Sequence, residues 1–264
     1  IRPRLHQESE VEMTSAGLGD LWTIQKILAW TSAYFSDKGL DSPRLDAELL
    51  IAHALDFDRT HLYMELNKPL QEAERTAIRS LVRRRAQREP VAQIIGWRGF
   101  WKHEFKVDSR VLTPRPDTER LVERAIEVMV DTDGARIVDV GTGSGCIAIS
   151  LALDLPHCEV LAVDRCSDAL AVAKANGERL AMGRVEWLQG DLLSPVHSPI
   201  NLVVSNPPYI PSNDIDNLMP EVAQFEPRTA LDGGPDGLEI INRLIGQAER
   251  VLAPGGYLML EIGH

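Results

Sequence analysis

In this 264-residue chain, the stretch whose residue types and order could do chemistry is Asn206-Pro207-Pro208-Tyr209. It follows the apolar run Leu202–Ser205, which reads as a buried strand. In open α/β sheets ligands collect beyond the carboxyl ends of strands, so this turn is expected to face a cleft. A planar amide or exocyclic amine nitrogen is a poor nucleophile because its lone pair is delocalised. It carries two N–H donors, so two acceptors can hold it in plane. The Asn206 side-chain carbonyl can take one, and the backbone carbonyl of Pro207 the other, since proline keeps its acceptor. Tyr209 offers a flat wall beside such a group, with Pro208 stiffening the turn between them. Against an activated electrophile no strong base is needed, and rate comes from alignment and fixed dipoles. Taken alone, Asn-Pro-Pro is also simply a strong turn. The surroundings have to decide.

The second chemical feature is Asp139-Val140-Gly141-Thr142-Gly143-Ser144-Gly145, placed between an expected strand at Ile137–Val140 and a helix at Cys146–Leu153. Glycines there let the backbone approach a ligand closely. Read from Gly141, the dinucleotide fingerprint needs glycine where Cys146 stands, and the closing Gly-Lys-Ser/Thr of a Walker loop is absent. Gly-x-Gly-x-Gly after an acidic residue resembles the loop of S-adenosylmethionine-dependent methyltransferases. The resemblance implies that cofactor, bound by Asp139, Gly141, Thr142, Gly143, Ser144 and Gly145, with Asn206 meeting it from the neighbouring strand end. Asp164 ends the next expected strand, where a carboxylate can accept both hydrogen bonds of a ribose diol; a turn or cap is its plain alternative. Asp191, after the third strand, is placed to meet the adenine amine, with Leu192 packing on the ring.

These residues need a scaffold, and the pattern supplies one. Residues 1–20 read as a disordered or foreign leader, without the apolar core of a signal peptide. Residues 21–90 show helical periodicity throughout and form an expected small bundle that recognises the substrate. Residues 91–115 comprise a β-hairpin, from alternating aromatics such as Trp97, Phe100 and Phe105, and a proline-stiffened connector at 113–117. From 116 to 264, apolar runs alternate with helices, which implies an α/β domain with a parallel sheet covered on both faces.

Composition narrows the class. The net charge of −11 arises almost entirely beyond residue 95, which opposes a broad nucleic-acid footprint on the catalytic half. Arg79, Arg83, Arg84, Arg85 and Arg88 are a local exception, read as a solvated helix end or as a contact for an acidic or RNA-bound partner. Cys146, Cys158 and Cys166 lack metal-ligand spacing and read as reduced thiols; no metal is expected. No apolar run is long enough to span a membrane.

Together these motifs are specific. The chain resembles the HemK/PrmC family of protein-(glutamine-N5) methyltransferases, which modify peptide chain release factors. The likeness covers residues 21–264 and rests on Glu89–Gly96, the aromatic hairpin at Phe100 and Phe105, Thr113-Pro114-Arg115-Pro116-Asp117-Thr118-Glu119, the glycine loop, Asn206–Tyr209, and Glu226–Leu231. It implies a Rossmann-like class I methyltransferase domain, S-adenosylmethionine as cofactor, and a cytoplasmic role in translation termination. The substrate implied is the glutamine of the release factor's Gly-Gly-Gln motif. Arg115 and Glu226 are candidate substrate contacts; Arg115 could instead meet the cofactor carboxylate, and is equally a brace within the connector. Thr113 stands where the family usually has an apolar residue. The family's sheet also continues beyond the strand that ends near His264, so C-terminal strands are expected to be missing and an apolar edge exposed. An adenine-N6 methyltransferase acting on RNA or DNA, and a non-catalytic adaptor that binds S-adenosylmethionine, are the competing readings.

Overall fold

The computed structural model describes residues 21–197 and 199–263. The expected leader over 1–20 and the terminal His264 lie outside the described residues. The chain divides into two compact units, meeting in sequence at Gln87 and Arg88.

The first unit is helical: α1 (Ile24–Asp37), α2 (Pro43–Ala54), α3 (Arg59–Met64) and α4 (Glu72–Ala86). Its helix starts are specified locally. The Thr23 hydroxyl accepts from Lys26 N, Asp58 accepts from His61 N, and Pro43 occupies the first turn of α2, where its missing N–H costs nothing. Ile24, Leu28, Leu50, Ile51, Leu62 and Ile78 are fully buried, each contributing roughly 1.5–3 kcal/mol. The arginine-rich stretch of α4 departs from the solvated end expected. Arg85 turns inward, and its Nε meets Asp46 Oδ2 at 2.7 Å with both side chains buried. Arg88, in the second unit, pairs with Glu221 at 3.0 Å. Helical periodicity brings Arg85 to the same face as Ile78 and Val82, where burial demands a carboxylate partner.

The second unit opens with a difference from expectation. Residues 91–95, read as the start of the hairpin stretch, form a short helix α5 (Val91–Ile95). Pro90 starts it, and Gly96 closes it in the left-handed conformation that glycine adopts without cost. The hairpin itself is β1 (Trp97–Phe100) antiparallel to β2 (His103–Lys106). Then follow α6 (Thr118–Met129), β3 (Arg136–Val140), α7 (Cys146–Asp154), β4 (Glu159–Asp164), α8 (Ser167–Leu180), β5 (Val185–Gln189), β6 (Ile200–Ser205), α9 (Pro220–Ala223), α10 (Glu239–Val251) and β7 (Leu252–Leu260).

The large sheet is parallel in the order β5-β4-β3-β6-β7. Adjacent strand residues enter opposite cores: Ile137 packs with Val122, Met129 and Ile149, and Val138 with Leu161, Val203 and Leu244. This two-faced burial is why the strands read as continuous apolar runs. The chain runs outward from β3 to β5, then returns to place β6 on the other side of β3. That reversal creates a switch point at the carboxyl ends of β3 and β6, where Val140 pairs with Ser205. The glycine loop leaves one of these strands and the Asn206 turn leaves the other. β7 begins at Leu252, and its pairing is irregular between Ile200 and Leu202.

Candidate active site

The Ser205 hydroxyl donates to Val140 O at 2.6 Å, stitching the ends of β6 and β3 together just before both chains leave the sheet. The pocket at this seam brings together Gly141, Gly143, Asp164 and Asn206. Asp191, Leu192 and Pro208 line it as well. These are seven of the candidates read from sequence.

The glycine loop is held from several sides. Gly141 N and Thr142 N both donate to Val163 O, at 2.8 and 3.0 Å. Gly143 N donates to Asp164 Oδ2 at 2.9 Å, while Cys166 N donates to Asp164 Oδ1 at 2.9 Å. Asp164 therefore shapes the loop and borders the pocket at once. Gly145 has φ +82°, and a Cβ there would sit 3.1 Å from Ile149 and 3.2 Å from the Trp187 ring. A side chain would be strained at this φ and would need those neighbours to give by a few tenths of an ångström.

Asp139 takes a place other than the direct cofactor contact expected. It is fully buried, and its Oδ2 accepts from Thr142 Oγ1 at 2.6 Å and from Ala148 N at 3.1 Å. It braces the loop against the first turn of α7, with Thr142 as its partner. Burial pushes its carboxyl up to about 7; these two hydrogen bonds oppose the rise and the charge of Asp164 adds to it. Thr142 and Ser144 are themselves buried, 4% and 2% exposed, and their side chains lie on the loop's inner side. Cys146, at the start of α7, is buried and its thiol is pushed up to about 12, so it stays protonated. All three cysteines are free.

Asn206 is half-buried, and its Nδ2 donates to Thr118 Oγ1 at 3.2 Å. With the nitrogen committed at the start of α6, the carboxamide oxygen is the end left for a ligand donor. Pro207 is buried beneath the turn. Tyr209 departs from the arrangement expected. It borders a second depression, with Arg120, Arg124, Met259 and Glu261, and does not line the pocket that holds Asn206. Burial, together with the charge of Glu261, raises its phenol above the ordinary value, so the ring stays neutral.

At Asp191 and Leu192 the structure adds two facts. Asp191 is ion-paired with Arg243. Leu192 holds φ +53°, a left-handed backbone costing a bulky residue about 1–2 kcal/mol. Such strain persists where the surrounding structure over-determines the backbone.

Arg115 and Glu226 meet each other. Arg115 reaches Glu226 Oε2 at 2.7 Å, and Thr113 N donates to Glu226 Oε1 at 3.3 Å. Burial lifts the Glu226 carboxyl above its ordinary value against the pull of Arg115. The pair fastens the segment that follows. Pro227, Thr229, Ala230 and Asp232 roof the pocket, and Arg110, Val111 and Leu112 form a further wall. Neither set was among the candidate residues. Glu226–Leu231 is a motif of the sequence, but nothing in it says that Pro227, Thr229 and Ala230 line the same pocket as the glycine loop.

Among the described residues, no cluster of three metal-ligating side chains occurs, and no helix is long and apolar enough to cross a membrane.

Residues 26–96 match the family model for the PrmC N-terminal domain, and residues 120–223 match the methyltransferase small domain. The release factor glutamine methyltransferase of Geobacter sulfurreducens is 45% identical over 245 residues, covering 92% of this chain and 85% of that protein. The protein of the same name from Rhodopirellula baltica is 44% identical over 248 residues, covering 91% and 84%. Among solved structures, ribosomal protein L11 methylase from Lactobacillus delbrueckii subsp. bulgaricus is 24% identical, with a TM-score of 0.42 over 59% of this chain and 65% of that one.

Proposed function

The chain belongs to the release factor glutamine methyltransferase family, and from that premise we propose that it transfers a methyl group from S-adenosylmethionine to the side-chain nitrogen of the glutamine in a release factor's Gly-Gly-Gln motif. The observation that carries the reading is Asn206: its carboxamide is oriented by Thr118 and borders the same pocket as the glycine loop and Asp164.

The residues present fit the cofactor. Asp164 borders the pocket with acceptor capacity beyond its two backbone donors, as a ribose diol requires. Asp191 and the strained Leu192 stand where the adenine would lie, and Gly141 and Gly143 present backbone without side chains. When bound, S-adenosylmethionine supplies a methyl group already activated on a positively charged sulfur.

The chain's own part is to hold the nitrogen. Asn206 Oδ1 accepts one N–H of the substrate amide, and the backbone carbonyl of Pro207 accepts the other. With the cofactor bound, nitrogen would take the methyl carbon as the carbon–sulfur bond breaks and its electron pair stays on sulfur. Positive charge would build on nitrogen, and the two acceptors would stabilise it without reorganising. The surplus N–H proton becomes acidic only during transfer and leaves to water. Tyr209, on the second depression, walls the side from which the polypeptide arrives. Arg115 and Glu226 act on the roof of the pocket through each other. The helical unit, residues 21–87, grips the release factor away from the reacting glutamine, and the reaction takes place in the cytoplasm, where translation ends. The curated role of the relatives favours a protein amide over an adenine amine and over a silent adaptor.

Mass spectrometry of a release-factor peptide incubated with the protein and S-adenosylmethionine tests the reading. A single added methyl on the motif's glutamine is expected; an unmodified peptide, with the methyl found instead on RNA in a parallel incubation, would contradict it.

A further inference from the structure

We infer that Asn176 is a positioning residue that sets the spacing between two walls of the cofactor pocket by clasping the glycine loop to the hairpin. The inference rests on that pocket being the S-adenosylmethionine site.

No motif marks Asn176. It sits within α8, where asparagine is a poor helix former, yet it is fully buried. A buried amide without partners is costly, so its hydrogen bonds identify its task. Nδ2 donates to Ser144 O at 2.9 Å and to Lys106 O at 3.0 Å, and Oδ1 accepts from Lys106 N at 2.8 Å. Ser144 lies between Gly143 and Gly145, both at positive φ, in a loop with no strand ladder to hold that carbonyl. Lys106 ends β2, and the chain runs on from there to Arg110, Val111 and Leu112. Those residues and Gly143 border the same pocket. One side chain therefore ties the glycine loop to the segment that builds a further wall.

Packing fixes the clasp in place. Beside Asn176, a Cβ on Gly177 would lie 2.5 Å from the Trp187 ring, and a Cβ on Gly145 would lie 3.2 Å from the same ring. Trp187 thus contacts both the helix that carries the clasp and the loop that it holds. Behind the hairpin end, Val107 and Val111 pack on Ala169 and Val172 of α8. The helix is seated from both sides, and the amide supplies the direction. Leucine in its place preserves volume but makes none of the three bonds. Aspartate sets a carboxylate against two carbonyl oxygens.

The test compares wild type with Asn176→Leu and Asn176→Asp. Thermal melting establishes folding, calorimetry gives the Kd for S-adenosylmethionine, and initial rates give KM for the release factor. Loss of the clasp is expected to raise that Kd by about tenfold or more, with aspartate worse than leucine, while KM for the release factor stays within about twofold. A general structural role would instead lower the active fraction and leave Kd unchanged. Hydrogen exchange on the wild-type protein gives an arm that no variant can spoil. S-adenosylmethionine should slow exchange at the Lys106 amide together with that of Gly143. A folded Asn176→Leu protein with wild-type Kd, or a Lys106 amide indifferent to S-adenosylmethionine, overturns the clasp alone. Failure of the wild type to bind S-adenosylmethionine overturns the cofactor assignment, and this inference with it.

Discussion

Asn206 Nδ2 donates to Thr118 Oγ1 across 3.2 Å, joining the turn after β6 to the first residue of α6, 88 positions away in sequence. Thr118 is itself buried, 3% exposed, so this hydroxyl is a fixed post. In this orientation the carboxamide nitrogen meets the post and Oδ1 is left for a ligand donor. Thr118→Val keeps the shape of the post and removes its acceptor, so the carboxamide can turn over. Turnover should fall by about three- to tenfold, the worth of one hydrogen bond, with S-adenosylmethionine affinity unchanged. Steady-state kinetics with calorimetry checks this. A variant with wild-type kcat would mean that Thr118 does not orient Asn206.

Asp139 makes the cofactor-free protein sensitive to pH. Its carboxyl is pushed from 3.8 to about 7 by burial, so between these values the folded chain holds a proton that the unfolded chain has released. Stability therefore falls as pH rises through that window, by about 2–3 kcal/mol from pH 5 to pH 7. Glu226, also raised by burial, contributes with the same sign. Glu74 and Asp108, held low by their partners, change stability with the opposite sign and at lower pH. Denaturant unfolding of Asp139→Asn should show a flatter profile. A slope equal to that of wild type would remove Asp139 as its source.

The Arg115–Glu226 pair should control the roof of the pocket. Arg115→Ala leaves a carboxyl with 1% side-chain exposure without its cation. Because Arg115 is itself 39% exposed, the pair is partly screened, and the loss of stability should be about 1–2 kcal/mol. Affinity for S-adenosylmethionine should fall severalfold, since Pro227 and Thr229 follow directly. If instead KM for the release factor rises and the cofactor Kd is unmoved, Arg115 contacts the protein substrate.

In the helical unit, Arg85→Ala removes the cation 2.7 Å from the buried Asp46 carboxylate and should cost about 3–5 kcal/mol. Replacing both together, Arg85→Met with Asp46→Leu, should recover most of that loss. Chemical denaturation of the three proteins decides it; a double variant no better than the single one would show that the pair is not the cause.

How far the sequence could be read depended on the range of each signal. The glycine loop, Asp164 and the Asn206 turn are encoded locally, by residue type and spacing at strand ends. The parallel sheet then forces the strand ends together, so a local pattern sufficed for these. The partners of Arg115 and of Asn176 lie 111 and 70 residues away, where no spacing rule reaches. Sequence therefore leaves Arg115 open between a ligand contact and a brace, with nothing that points to Glu226 as its partner, and Asn176 carries no signal at all. Tyr209 fails for another reason. The residue type fits a flat wall, but the direction of its ring is set by the backbone after two prolines and by the β7 residues beside it. At 91–95, alternating aromatics further on suggested strand, and the Pro90 and Gly96 helix boundaries prevailed.

The central claim is that Asn206 acts on the nitrogen, and Asn206→Ala tests it most directly. Calorimetry with S-adenosylmethionine and single-turnover methylation of the release factor should be run on the same preparation. The expected result is a Kd within about twofold of wild type and a methylation rate lower by about 10²–10³, the loss typical of one preorganised group at a developing charge. A rate close to wild type would contradict the account.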